Sequence, residues 1–304
     1  MSLALTQAVK ALAKGLGFPA FGVASAHPLT DTFTPTSLAY RRYLAWIAKG
    51  KHADMTYLAE GAALRGDPAH VLPGAQALLL TLASYFHSRT HRSPIAQYAW
   101  GADYHRVLRR KLQIIADYLV RKGYAARPFV DTAPLLEKAW AVEAGLGWIG
   151  KNTLLLNRKL GSYTFIGGVI TTAPLVPDDP FVGDGCGTCQ RCIEACPTQA
   201  LQPYELDARR CIAYWTIEAP TLEGSPPLHG WIFGCDVCQQ VCPWNRFAQP
   251  QGDFVPAAYA FLPRQRWATL SKAAVRRFQR GSALRRARPE KLLAAAQTPH
   301  PIKG

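Results

Sequence analysis

The sequence predicts an α+β protein in three parts: a sheet-and-helix domain over residues 1–175, a cysteine-rich module over 176–250 and a short basic helical tail over 251–304. Three observations predict it. Helical and strand-like hydrophobic periods alternate through the first 175 residues, the pattern of a sheet covered by helices. All eight cysteines fall between positions 186 and 242. From Arg264 onward, eleven Lys or Arg stand against one acid, Glu290, so this stretch carries +10 of the chain's formal +15.

The elements follow in order. Leu3, Leu5, Ala8, Leu12 and Leu16 fall near helical spacing with Lys10 and Lys14 opposite, which predicts an amphipathic first helix closed by Gly15 and Gly17. Leu78–Ala83 and Thr164–Thr171 are short apolar runs that suit buried strands. Tyr104 to Lys122 places Leu108, Leu112, Ile115 and Leu119 on one helical face, with Arg106, Arg109, Arg110, Lys111, Arg121 and Lys122 alongside. Arg127–Val130 reads as a strand feeding a helix that starts near Pro134 and runs to Ala144. In the tail, Val275, Phe278, Leu284, Leu292 and Leu293 keep helical spacing. Gly145-Leu-Gly147-Trp-Ile-Gly150 fits G-x-G-x-x-G, but a helix precedes it and no acid stands about 20 residues on, so it is read as a helix cap rather than a dinucleotide fingerprint.

The cysteines fall in two runs, Cys186-x-x-Cys189-x-x-Cys192-x-x-x-Cys196-Pro197 and Cys235-x-x-Cys238-x-x-x-Cys242-Pro243, with Cys211 between them. The first run is the spacing of two-cluster ferredoxins, in which the last cysteine ligates the other cluster. This crossing assigns Cys186, Cys189, Cys192 and Cys242 to one [4Fe–4S] cluster and Cys196, Cys211, Cys235 and Cys238 to the other. Each proline after the wider gap stops the local turn from continuing as helix. A pair of zinc sites also uses C-x-x-C pairs, but not overlapping triplets followed by Cys-Pro. A disulfide framework suits small secreted chains, whereas 304 residues bury a core without staples.

A composition of 49% hydrophobic and 18% charged residues is that of a soluble globular protein. No stretch approaches the roughly 20 apolar residues of a membrane helix, and neither a signal peptide nor a twin-arginine signal opens the chain. The expectation is a monomer in a reducing cytoplasm. Two basic stretches argue for a polyanionic partner over a merely solvated face. Asp131, where a strand gives way to a helix, is either a helix cap or a catalytic carboxyl at a strand's carboxyl end. Lys151 and Asn152 sit in the loop after the glycines. His87, His91 and His105 have no metal-ligand spacing and are read as surface or hydrogen-bonding residues. No Walker loop, nucleophile elbow or H-E-x-x-H occurs.

A series of motifs makes the reading specific. Tyr98-Ala-Trp-Gly-Ala-Asp-Tyr-His105, Pro128-Phe-Val-Asp-Thr-Ala-Pro134, Glu143-Ala-Gly-Leu-Gly-Trp-Ile-Gly-Lys-Asn152 and Asn157-Arg-Lys-Leu-Gly-Ser162 stand in the order found in epoxyqueuosine reductases. So do Cys186-Gly-Thr-Cys189, Asp207-Ala-Arg-Arg-Cys211-Ile212 and Gly234-Cys-Asp-Val-Cys-Gln-Gln-Val-Cys-Pro-Trp-Asn-Arg-Phe247. The chain resembles that family over about residues 10 to 288. The resemblance implies a cobalamin-binding α/β sandwich domain like that of reductive dehalogenases, then the ferredoxin-like module with two [4Fe–4S] clusters. It implies the last step of queuosine synthesis: the epoxide of epoxyqueuosine at the tRNA wobble position is reduced with loss of water. An external low-potential electron donor would feed the clusters, and cobalt reduced to Co(I) would act as nucleophile or electron donor.

Asp131 matches the family's proposed proton donor, and burial beside a corrin would raise its pKa enough to hold that proton. Tyr104, Asp131, Lys151, Asn152 and Ser162 are the implied corrin-pocket residues, with Asp236 and Val237 added if their loop faces the corrin. Arg106, Arg109, Arg110, Arg285 and Arg286 would hold the anticodon stem-loop. Many members of that family continue into HEAT-like helical repeats, which this chain is expected to lack. Three alternatives remain. A corrinoid reductive dehalogenase fits poorly with the basic tail, a ferredoxin-like electron carrier leaves the large N-terminal domain unexplained, and a non-catalytic nucleic-acid-binding iron–sulfur protein would bind tRNA without turnover.

Overall fold

A computed structural model of the chain describes residues 1–29, 34–87 and 93–299; His91 lies outside the described residues. Helix α1 (Leu3–Gly15) leads into strand β1 (Ala20–Ser25), then α2 (Pro35–Ala48) and the short α3 (Thr56–Glu60). Strand β2 (Ala77–Ser84), helix α4 (Tyr104–Arg121), strand β3 (Ala126–Phe129) and helix α5 (Glu137–Glu143) follow. A hairpin of β4 (Trp148–Ile149) and β5 (Leu155–Leu156) precedes β6 (Thr164–Thr171). The cysteine-rich stretch holds the short α6 (Arg191–Glu194), the hairpin β7 (Leu201–Gln202) and β8 (Glu205–Leu206), and α7 (Val237–Gln240), with tight helical turns between them. The tail folds into α8 (Arg264–Ala268), α9 (Lys272–Gln279) and α10 (Pro289–Gln297). The protein is α+β, and its tail is helical as its spacing implied.

The sheet has the order β1-β2-β6-β3 and every pairing is antiparallel. Strand β2 is buried at all eight positions, which requires cover on both faces. Leu79 and Val169 face α1 and α4, whereas Leu78, Leu80 and Leu82 face Trp140 of α5 and Tyr40 of α2. This alternation is the period-2 consequence of the pleat. Strand β1 had no counterpart in the sequence reading.

Helix α4 buries the four residues expected of it, Leu108, Leu112, Ile115 and Leu119. Helix α1 buries a different stripe from the one expected: Thr6, Val9 and Ala13 face inward while Leu3 is 61% exposed. Small side chains on that stripe let the helix approach the sheet, and Leu5, Leu12 and Leu16 flank the contact. The helix expected near Pro134 begins a turn later, at Glu137. Proline disfavours helical backbone in the residue before it, so residues 131–136 form an irregular turn instead. Gly145, with φ of +73°, ends α5, and the Leu146 N–H donates to Ala141 O at 2.9 Å in a Schellman closure. A hairpin, not a helix, follows the glycines, so they are cap and turn.

One continuous core runs through all three stretches, joining Val9 and Leu79 to Trp231 and Phe233 and then to Trp267 and Leu292. Among the described residues no helix is long and apolar enough to cross a membrane.

Candidate functional site

The short helices and loops after residue 185 bring the eight cysteines into two groups, and none is in a disulfide. Burial, then the neighbouring Cys186, Cys242 and Cys189, push the Cys192 thiol up to about 11. Cys242 is raised likewise by burial and by Cys186 and Cys189. In the second group, burial together with Asp236, Cys211 and Cys196 raises Cys235, and burial together with Cys235 and Cys211 raises Cys238. Cys192 is also among the neighbours of Cys238, so the groups adjoin. Cys242 thus stands beside Cys186 and Cys189, and Cys196 beside Cys211 and Cys235.

The thiols of Cys186, Cys189, Cys192 and Cys242 line one small cavity. Backbone N–H groups point at sulfurs of both groups: Ala200 N–H donates to Cys196 Sγ at 3.3 Å, and others serve Cys211, Cys235 and Cys242. Such donors stabilise thiolates, the form in which cysteine binds a cluster. The donor set fits two iron–sulfur clusters.

The expected corrin-pocket residues do not converge on one place. Lys151 Nζ donates to Gly187 O at 2.7 Å, and Lys151 and Asn152 both border the first thiol cavity. Ser162 Oγ donates to Gln239 Oε1 at 2.9 Å, and its N–H donates to Asn245 Oδ1 at 2.6 Å. Asp236 is buried, accepting the Gln97 N–H at 2.7 Å and Gln239 Nε2 at 3.0 Å, and burial pushes its carboxyl up to about 6 despite those bonds. Val237 packs against the core. These ties lock the second cysteine loop to the Gln97 turn and the residue-162 loop.

Tyr104 and Asp131 do meet, in a separate cleft. Asp131 follows the end of β3 with φ of +61°, a left-handed backbone that costs of order 1 kcal/mol outside glycine and that clusters at functional sites. It caps no helix. Its Oδ2 accepts Tyr104 Oη at 2.8 Å and lies 3.2 Å from both His105 Nε2 and Arg286. Its own N–H donates to Glu137 Oε1 at 2.7 Å. Arg286 also pairs with Glu218, which a π-helical turn at Tyr214–Glu218 presents. Tyr104 stacks flat on Phe165, with centroids 4.3 Å apart, and meets Tyr98 edge-on. The Asp131 side chain remains 43% exposed, so the cleft is open to water although crowded by these walls.

The electrostatics reverse one expectation. Crowding pushes the Asp131 carboxyl up, but hydrogen bonds from His105 and Tyr104 and the Arg286 charge outweigh it and hold the pKa at about 2. A raised pKa had been expected; the resting residue is a carboxylate because three donors converge on it. The raised carboxyl is its neighbour Glu137, pushed to about 8 by burial and by the charge of Asp131. His105 faces carboxylate oxygens at both nitrogens, with Asp103 Oδ1 at 2.8 Å from Nδ1. Burial pulls its pKa down, yet hydrogen bonds to Asp131 and Asp103 leave it raised. Only the doubly protonated ring satisfies both partners.

Sequence reasoning gave His105 no more than a hydrogen bond and missed Glu137 and Glu218 altogether. A histidine directly after the Tyr104 of a recognised motif was the available signal. Arg286, one of the residues expected on tRNA, lies in this cleft, and Arg285 pairs with Asp103 at 3.2 Å while 64% exposed. Arg106, Arg109 and Arg110 are exposed on α4. The two basic stretches adjoin, since Asp103 N–H donates to Gly281 O at 2.7 Å and the Arg106 guanidinium lies beside Gly281.

Two family models match the chain: a 4Fe-4S double cluster binding domain over residues 185–245, and the epoxyqueuosine reductase QueG model (DUF1730) over residues 65–132. An epoxyqueuosine reductase of Cyclobacterium marinum is 38% identical, with 94% of this chain and 93% of that protein covered. A solved epoxyqueuosine reductase with an epoxyqueuosine-modified tRNA-Tyr stem loop superposes with a TM-score of 0.81 at 28% identity, covering 96% of this chain and 80% of that one. A Bacillus subtilis epoxyqueuosine reductase, with an aspartate-bearing catalytic loop swung out of its active site, gives 0.80 at 27% identity, covering 96% and 80%. A reductive dehalogenase associated with B12-dependent dehalogenation shares the fold at 18% identity, with a TM-score of 0.50 over 79% of this chain and 31% of that one.

Proposed function

The chain belongs to the epoxyqueuosine reductase family, and on that premise we propose that it reduces the epoxide of epoxyqueuosine in tRNA to the cyclopentene diol, the last step of queuosine synthesis, in the cytoplasm. Residues 1–175 would bind substrate and cofactor, 176–250 the two clusters, and the tail would support the tRNA. The reaction consumes two electrons and two protons per epoxide and releases one water.

One observation carries the reading: the second cysteine group and the Asp131 cleft share a wall. A side chain at Gly234, beside Cys235, would come 2.6 Å from Ala96 and 3.5 Å from the Tyr98 ring. Tyr98 meets Tyr104, whose hydroxyl holds Asp131. Electrons on a cluster there are one aromatic layer from the proton-handling groups.

The cleft also suits a corrinoid. Tyr104, backed by Phe165 and Tyr98, makes its aromatic side, and Asp131, His105 and Glu137 a polar rim, as an apolar macrocycle fringed with amides requires. Tyr104 and Asp131 would border it, and a bound cobalamin would supply a strongly reducing cobalt centre. The protein's part is to position and protonate. His105 Nε2 holds a proton against Asp131 Oδ2, and Asp131 passes it to the oxygen leaving the ring. Glu137, protonated at neutral pH, stands behind the Asp131 backbone as a second proton store. Arg106, Arg109, Arg110 and Arg285 would contact the tRNA backbone, leaving the unstacked wobble base to enter the cleft.

The test is anaerobic incubation of the reconstituted protein with cobalamin, a strong reductant and epoxyqueuosine-containing tRNA, followed by digestion and mass analysis of nucleosides. Loss of one oxygen, dependent on added cobalamin, is expected. No conversion with both clusters and corrinoid in place overturns the substrate.

A further inference from the structure

The clusters of the proposed function need electrons from outside the chain, and one face beside the first cysteine group is shaped to receive them. Cys242, with Arg191 and Pro243, lines two hollows at once: the small thiol cavity and an open surface depression. Arg191, Gln240, Val241, Pro243 and Arg246 line that depression, with Glu194 its one acid. A partner seated there is a single side chain from the first group, whereas the second group lies toward the Asp131 cleft.

The surroundings have the make-up of a protein contact. An aromatic row passes the thiol cavity: Phe181 stacks on Trp148 at 5.3 Å, Trp148 meets Trp244, which lines that cavity, edge-on at 4.9 Å, and Trp244 adjoins Phe247 at 6.3 Å. Phe247 is 43% exposed and Val182 88% exposed. Arginines cover both ends, Arg158 over Phe181 at 5.5 Å and Arg246 over Phe247 at 4.5 Å. Among the described residues none of Arg158, Arg191 and Arg246 belongs to an ion pair. Exposed aromatics with unpaired arginines are enriched where proteins meet. Unpaired cations around a redox centre speed encounter with a partner of opposite charge.

We propose that the depression beside Cys242 is the docking face for a small acidic one-electron carrier protein of the flavodoxin or ferredoxin class. The carrier's reduced centre loses one electron and the first [4Fe–4S] cluster gains it. Two such transfers, with two protons from solvent through the cleft, balance one epoxide reduced to alkene and water. The proposal rests on the cluster assignment of the proposed function. It needs no large interface, since transient redox encounters are small.

The experiment is stopped-flow bleaching of cluster absorbance in anaerobic, cluster-loaded protein, driven by reduced flavodoxin or by dithionite, which separates docking from turnover. The double variant Arg191→Glu/Arg246→Glu, at the two arginines that line the depression, is expected to slow flavodoxin-driven bleaching by about tenfold or more at low salt and to flatten its salt dependence. Dithionite-driven bleaching and tRNA affinity are expected to match the unaltered protein. Unchanged flavodoxin rates at low salt overturn the proposal, and so does a loss of tRNA affinity, which would give this face to RNA. Absence of cluster absorbance in the unaltered protein would overturn the cluster assignment instead.

Discussion

Glu137→Gln tests the cleft's electrostatics most directly. The side-chain oxygen that accepts the Asp131 N–H at 2.7 Å survives in glutamine, and only the titration is removed. In the folded protein Glu137 titrates near 8, against a usual value of 4.5. The folded state therefore binds its proton more tightly than the unfolded chain does, so stability is fully present below 4.5 and declines as pH rises toward 8. The gap between 4.5 and about 8, at about 1.36 kcal/mol per tenfold change in proton affinity, sets an upper bound of about 4.8 kcal/mol. Water in the cleft and the mobility of the side chain reduce that to about 2 kcal/mol. Glutamine removes this penalty. Melting midpoints at one scan rate, compared at pH 5 and pH 8, should show a variant close to the unaltered protein at pH 5 and higher by about 4 °C at pH 8. An equal difference at both pH values would show that Glu137 ionises normally and would remove it from the proton account.

Asp131→Ala should leave tRNA affinity intact and lower turnover by about 10²–10⁴-fold, the usual reach of a general acid; single-turnover kinetics read it, and persistent turnover refutes the proton role. Arg286→Met removes one of three groups that hold Asp131 at about 2. The carboxyl should move up toward its usual 3.8, seen as an upward shift of the acid limb in the pH–rate profile; an unmoved limb means that His105 and Tyr104 suffice. Cys242→Ser and Cys211→Ser should each remove roughly half of the bound iron by depleting a different cluster. Iron analysis and electron paramagnetic resonance check this, and identical residual spectra in the two variants would refute the crossed assignment.

The parts of the fold legible in the sequence were those that local pattern decides. The period of Leu108, Leu112, Ile115 and Leu119 needs no tertiary information, and β2 and β6 are apolar enough to declare themselves. The α1 stripe misled because Leu outranks Val and Ala in hydrophobicity, while a close approach to the sheet favours the smaller pair. The cysteine spacing is a local signal of the same kind, because a cluster's geometry is written in loop spacing. The cleft was legible only at Tyr104 and Asp131. Glu218 and Arg286 reach it from a π turn and from the tail, 87 and 155 residues beyond Asp131, and nothing local in either segment announces that meeting. The pKa of Asp131 was misjudged for the same reason. Burial can be guessed from a motif, but the donors that reverse its effect come from other segments.

A carboxylate at rest is compatible with proton delivery because of what surrounds it. Tyr104, His105 and Glu137 all hold their protons more tightly than usual, while Asp131 holds its own less tightly. The resting cleft thus carries protons at neutral pH and keeps one anion at their centre, through which they communicate. An alkoxide forming on a substrate there is a far stronger base than Asp131, so it draws a proton across Asp131 without that residue ever being stably protonated. On this account the donors that depress the Asp131 pKa assist the reaction instead of opposing it. His105→Gln decides between the two views. It keeps a hydrogen bond to Asp131 but removes the titrating proton, so turnover should fall even as the Asp131 pKa rises toward normal. If turnover rises instead, proton storage on Asp131 itself limits the reaction and the relay through His105 is wrong.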